Sequence, residues 1–204
     1  MNPQLRYQKD LDERLISEGE DQRRIVSHLQ NLFEKLVTEE AIKPGIHARV
    51  WRWFGTEERR NVGTRGIYLW GGVGRGKTYL MDSFYDCLPF ERKLRTHFHR
   101  FMQRIQQDLV RYQGAINPLE LVADRIAAEA LVVCLDEFFV LDIADAMILS
   151  GLFKALFERQ IVLVTTSNTH PDRLYENGLQ RQRFLPTIAL IKHHTSVIEL
   201  LPGT

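Results

Sequence analysis

The chain has 204 residues, 44% of them hydrophobic, with 27 Lys and Arg against 26 Asp and Glu and a net charge of +1. That length buries roughly 70% of the unfolded surface, enough for one α/β core with a small appendage, and the charge balance excludes an overall field drawing the protein to nucleic acid or anionic lipid. Its cysteines are Cys87 and Cys134, no apolar run reaches membrane-spanning length, and the first residues lack a signal-peptide core, so it reads as a reduced, cytoplasmic protein.

Residues 1–64 are charged and helical in period, an N-terminal extension to a core at 65–204. Ile25, Leu29, Leu32, Phe33 and Leu36 recur at helix spacing and predict an amphipathic helix. A second short helix is expected around Val50, Trp51, Trp53 and Phe54, its aromatic side packed on the core. Asn61 to Thr64 form the boundary loop.

The core opens with an apolar strand, Ile67 to Trp70, running into Gly71-Gly72-Val73-Gly74-Arg75-Gly76-Lys77-Thr78. This is the phosphate-loop pattern G-x-x-x-x-G-K-S/T, with a helix expected from Tyr79 to Leu88. Glycines let the backbone wrap a phosphate so that successive N–H groups and the positive helix end face the anion. Lys77 adds a full charge, and Thr78 offers a hydroxyl to the Mg²⁺ that bridges nucleotide phosphates.

A basic strand near Leu94 to Phe98 follows, then helices at Phe101 to Tyr112 and Pro118 to Ala128, the latter with Asn117 as cap. His97 with His99, and His193 with His194, lack the Cys or carboxylate partners of a metal set and are read as structural. The apolar run Leu131 to Leu135 delivers Asp136 and Glu137 at a strand's carboxyl end, where open α/β sheets place ligands. Asp136 suits the Mg²⁺ anchor and Glu137 the residue that polarises an attacking water, strand alternation sending them in different directions. Asp142 and Asp145 are read as acids opening a helix at Ile143 to Glu158.

The next strand, Ile161 to Thr166, leads to Asn168, which would join the acidic pair if the two strands are neighbours. Past a helix break at Asn177-Gly178 stand Arg181 and Arg183, either of which could reach a phosphate in a neighbouring subunit. Val197 to Leu201 is the fifth strand. Strands alternating with helices predict an α/β fold, a mostly parallel five-stranded sheet flanked by helices.

Three functional classes fit these residues. The first is an ATPase whose target the residues themselves leave open. The second is an ATPase that binds single-stranded nucleic acid through Arg92, Lys93, Arg95 and Arg100 with Phe98 and Phe101, against which the near-neutral charge argues. The third is a nucleotide-gated scaffold, against which Glu137 argues, since a switch needs no water activator.

The phosphate loop, Leu135-Asp136-Glu137-Phe138-Phe139-Val140, Thr166-Ser167-Asn168 and Asn177-Gly178-Leu179-Gln180-Arg181 together resemble AAA+ ATPases. With His97-Phe98-His99-Arg100-Phe101-Met102 they resemble in particular the ZapE family, bacterial cell-division ATPases with mitochondrial relatives, over about residues 20–200. The resemblance implies the AAA+ strand order with the phosphate-loop strand central, Mg²⁺-dependent ATP hydrolysis, and homo-oligomers whose subunits share sites. It favours Arg181 over Arg183 as the finger. It also implies action on FtsZ or another division-ring protein, with membranes reached only through partners. Because the family continues beyond the position of Thr204, its lid and sensor arginine are expected to be missing.

Overall fold

The computed structural model describes residues 1–16, 19–42 and 64–201. The helix expected around Trp51 and the boundary residues Asn61 to Gly63 lie outside the described residues. The elements are α1 (Pro3–Asp12), α2 (Glu20–Ile42), β1 (Gly66–Trp70), α3 (Lys77–Cys87), β2 (Lys93–His97), α4 (Phe98–Arg111), α5 (Pro118–Glu129), β3 (Val132–Asp136), α6 (Ile143–Glu158), β4 (Val162–Ser167), α7 (Leu185–His194) and β5 (Thr195–Glu199), with 3₁₀ turns at Pro171–Arg173 and Arg181–Arg183.

The sheet has the order β2-β3-β4-β1-β5. Every pair is parallel, so "mostly parallel" becomes wholly parallel among the described strands. β1 is an inner strand between β4 and β5, whereas β4 takes the middle place that the resemblance implied for the phosphate-loop strand.

Side chains alternate across each strand and feed two cores. Ile67 and Leu69 of β1, with Val132, Cys134, Val162 and Val164, pack under α1, α2 and α3 through Tyr7, Ile25, Leu29, Leu80 and Phe84. Tyr68, Val133, Leu135 and Leu163 face the other way, onto Phe101, Val122, Leu152 and Ile188 from α4 to α7. The molecule is therefore three layers deep, and the N-terminal helices close one face of the same core that holds the phosphate loop. Gly66 is required by this packing: a Cβ there would stand 1.8 Å from the Leu163 carbonyl oxygen.

Several local expectations change. α4 begins at Phe98 because the chain turns into the helix as β2 ends, and Phe98 is buried under the sheet's edge. Asn117 stands at the start of α5 but its side chain makes no capping hydrogen bond; Pro118, which has no N–H to satisfy, opens the helix instead. Asp142 does cap α6, accepting from the Asp145 N–H. The segment before Asn177-Gly178 is a 3₁₀ turn rather than a helix. α1, capped by Asn2, and α7 are additional helices. β5 starts at Thr195, two residues ahead of the expected Val197.

Candidate active site

Since β1, β4 and β3 are adjacent and parallel, their carboxyl ends share one edge of the sheet. The phosphate loop leaves β1 there, Asn168 follows β4, and Asp136 ends β3.

Gly74 and Gly76 take φ of 76° and 86°, left-handed values that a side chain would resist. Gly76 is the N-cap of α3, whose first turn has neither a capping side chain nor an acidic residue. The first N–H groups of α3 thus offer an anion site that no side chain among the described residues caps. Lys77 is buried, and its Nζ donates to Gly71 O at 3.0 Å, Gly72 O at 2.7 Å and Asn168 Oδ1 at 2.9 Å. Burial, and then the charge of Arg75, hold the Lys77 ammonium below its ordinary pKa, against an upward pull from Asp136. An incoming phosphate would relieve both strains.

Asp136 is 1% exposed. Its Oδ1 accepts from Thr78 Oγ1 at 3.2 Å, from the Glu137 N–H at 3.2 Å and from Thr166 Oγ1. Its Oδ2 accepts from Arg95 Nη2 at 3.1 Å. Glu137 leaves the site's wall by a different device from strand alternation. It stands one residue beyond β3 with φ 57°, a left-handed turn held by its own N–H, which donates to Thr166 Oγ1 as well. The turn keeps the Asp136 side chain inside, 2% exposed, and throws that of Glu137 outward, 69% exposed. A non-glycine residue in this conformation costs about 1–3 kcal/mol, a strain characteristic of functional positions.

A hydroxyl and a carboxylate oxygen 3.2 Å apart are hard donors that suit Mg²⁺, an ion that takes one or two carboxylates plus substrate phosphates and keeps several waters. Among the described residues no group of three or more His, Cys, Asp or Glu could hold a metal by itself.

Arg181 lies in the 3₁₀ turn after Gln180, its Nη2 donating to Asp172 O at 2.5 Å and its Nε buried without a hydrogen-bond partner among the described residues. Arg183, also in that turn, is exposed. Neither makes a hydrogen bond to the phosphate loop, Asp136 or Asn168 within this chain.

Of the residues considered for a single-stranded nucleic-acid surface, Arg100 is exposed, while the others are buried or hydrogen-bonded within the protein. Phe98 and Phe101 are buried. Arg92 is tied to Ala127 O, Lys93 to Tyr85 O and Leu88 O, and Arg95 to Asp82 and Asp136.

Thr166, His97 and Arg95 join the site without having been picked out for it. Arg95 and His97 lie two residues apart on one face of β2, and His97 is registered directly opposite Asp136. His97 Nδ1 stands 3.7 Å from Asp136 Oδ2 and 4.0 Å from Glu137 Oε2. The signal for all three was the strand order, which brings β2 and β4 to either side of Asp136.

A model of the AFG1-like ATPase family matches residues 1–203. The chain belongs to this family. It is 50% identical over 207 residues to the cell division protein ZapE of Escherichia coli strain K12, a match covering 100% of this chain and 55% of that protein. It is 41% identical over 150 residues to lactation elevated protein 1 homolog B of Danio rerio, covering 68% of this chain and 30% of that one. The chain thus spans about half the length of the first of these AFG1-like relatives, or less. AMPPCP-bound DnaA from Aquifex aeolicus shares the fold at a TM-score of 0.59 and 16% identity, over 91% of this chain and 48% of that one.

Proposed function

We propose that this chain is the catalytic core of a Mg²⁺-dependent ATPase that remodels a protein partner during cell division. The observation that carries the reading is the convergence, at the N-terminus of α3, of two hydrogen-bonded pairs, Lys77 with Asn168 and Thr78 with Asp136.

In this reading Gly71 to Thr78 cradle the triphosphate, and Lys77 exchanges Gly71 O, Gly72 O and Asn168 Oδ1 for phosphate oxygens. Thr78 and Asp136 hold Mg²⁺, which when bound offsets charge on the phosphates. The outward carboxylate of Glu137 accepts a proton from a water as the water oxygen bonds to the terminal phosphorus and the bond to the ADP oxygen breaks. Asn168, freed from Lys77, holds that water or the departing phosphate. Arg181 of a neighbouring copy steadies the charge on the transferred group, which makes the working form a homo-oligomer.

The division role rests on the name of the E. coli relative, and the partner proposed is FtsZ or another protein of the division ring. No helix among the described residues is long and apolar enough to cross a membrane, which suits a cytoplasmic enzyme recruited to the division site by its partner.

The test is ATP turnover against protein concentration, with and without FtsZ. Specific activity rising with concentration and responding to FtsZ supports shared sites and this partner. A chain of the full family length that neither binds nor hydrolyses ATP would rule the reading out.

A further inference from the structure

The two oxygens of Asp136 are treated unequally. Among the described residues Oδ1 collects three donors, from Thr78, Thr166 and the Glu137 backbone, while Oδ2 has one hydrogen-bond donor, Arg95 Nη2 at 3.1 Å. Arg95 is aimed by a second acid. Its Nε donates to Asp82 Oδ1 at 2.7 Å and its Nη2 to Asp82 Oδ2 at 3.3 Å, a fork across both carboxylate oxygens. Asp82 lies on α3 one helical turn after Thr78, so the helix that carries the phosphate-loop hydroxyl also fixes the guanidinium. Exposure falls steadily along the chain of charges, with side chains 44% exposed at Asp82, 23% at Arg95 and 2% at Asp136.

We infer that Arg95, aimed by Asp82, is a positioning residue for the Asp136 carboxylate, holding Oδ2 so that Oδ1 stays turned to Thr78 for a divalent cation. The inference rests on the ATPase reading above. A buried carboxylate with one oxygen unheld can rotate about its last torsion, and a cation site built from a single carboxylate and a hydroxyl loses its geometry when it does. The clamp is also close to charge-neutral in itself. Asp82 cancels the charge of Arg95, so the guanidinium directs Asp136 without opposing the cation by a full unit. Partners that orient metal-binding carboxylates typically contribute about 10- to 100-fold in metal affinity or activity.

Because the pair is neutral, it can be removed at constant net charge. Arg95→Met combined with Asp82→Asn separates orientation from Coulombic attraction, which Arg95→Met alone would confound by leaving two uncompensated acids. The probe is Mn²⁺, followed by electron paramagnetic resonance in the presence of a non-hydrolysable ATP analogue. Affinity for the same analogue in EDTA and the thermal midpoint are measured alongside.

The double variant is expected to bind Mn²⁺ about 10-fold more weakly, with metal-free nucleotide affinity close to the parent's and a thermal midpoint lowered by the loss of the guanidinium paired with buried Asp136. Asp82→Asn alone should shift Mn²⁺ in the same direction, because it frees Arg95 from its aim and leaves its whole charge beside Asp136. Mn²⁺ affinity within twofold of the parent in the double variant overturns the inference. If that variant does not fold, unchanged Mn²⁺ affinity in Asp82→Asn overturns it. A parent chain that binds no Mn²⁺ with the analogue overturns the ATPase reading itself, a result distinct from a parent that binds and a variant that binds equally well.

Discussion

Lys77 Nζ donates to Asn168 Oδ1 across 2.9 Å, joining the phosphate loop to the end of β4. One hydrogen bond therefore links the group that would grip a phosphate to the group that would sense it. An anion that recruits Lys77 releases the Asn168 amide.

Replacing Asn168 by Ala removes that amide but leaves Lys77 its two carbonyl acceptors. Turnover should fall about 100-fold, the effect of deleting one positioned polar group around a transition state, while ATP affinity changes little. Phosphate release and titration of a fluorescent ATP analogue read the two separately. Equal losses in both would make Asn168 a binding residue only.

Lys77→Ala should weaken ATP binding about 10- to 100-fold, since a charge-assisted hydrogen bond contributes about 1.5–3 kcal/mol. The variant should keep its fold, because two of the three acceptors of Nζ, Gly72 O and Asn168 Oδ1, are only part-buried. The same analogue titration, with circular dichroism as control, checks both points, and near-normal affinity would remove Lys77 from phosphate binding.

Glu137→Gln preserves the size of an exposed side chain and leaves Asp136 with all its contacts. ATP should bind and persist, with hydrolysis slowed about 10²- to 10⁴-fold as for loss of a general base. Single-turnover measurements decide. Hydrolysis at the parent rate would show that another group, with His97 the nearest candidate by position, handles the water.

Arg181→Ala should bind ATP normally and turn it over about 10³-fold more slowly or worse. Mixing it with Lys77→Ala should restore part of the activity, each protein supplying what the other lacks. This is to be measured where the full-length parent assembles. No recovery there would leave Arg183, or a purely structural Arg181 bonded to Asp172 O, as the better assignment.

Gly66→Ala is expected to destabilise the chain by about 3 kcal/mol or more, since the added carbon meets backbone rather than a movable side chain and the two strands must part. Urea unfolding monitored by tryptophan fluorescence gives the value. A loss below about 1 kcal/mol would mean that β1 and β4 adjust more freely than their packing implies.

The phosphate loop and the acidic strand end were legible because phosphate chemistry demands those residue types at fixed spacing, and spacing survives in a sequence. Asn168 was legible only on the condition that β3 and β4 adjoin, which they do. Arg95 is legible only as a charge, entering the sequence reading solely through the disfavoured nucleic-acid alternative, since its real partners, Asp82 and Asp136, are set by strand order and helix placement. α7 was hidden by Pro186, which resembles a helix breaker until it is seen in the first turn, where its missing N–H costs nothing. The outward turn of Glu137 could not be foreseen from alternation because it depends on Thr166, a residue of the next strand over.

The pairing of β1 has a consequence for how the protein comes into being. Gly66 is registered with Thr195, and Ile67 with Val164, so neither neighbour of the phosphate-loop strand has been synthesised when that strand emerges from the ribosome. Pairing at such separations closes slowly, and the apolar faces of β1 and α3 stay exposed in the meantime. Competence to bind nucleotide should thus appear as one of the last events of folding. A nascent chain halted before β4 would already carry every residue of its phosphate loop and yet lack both strands that pair with β1.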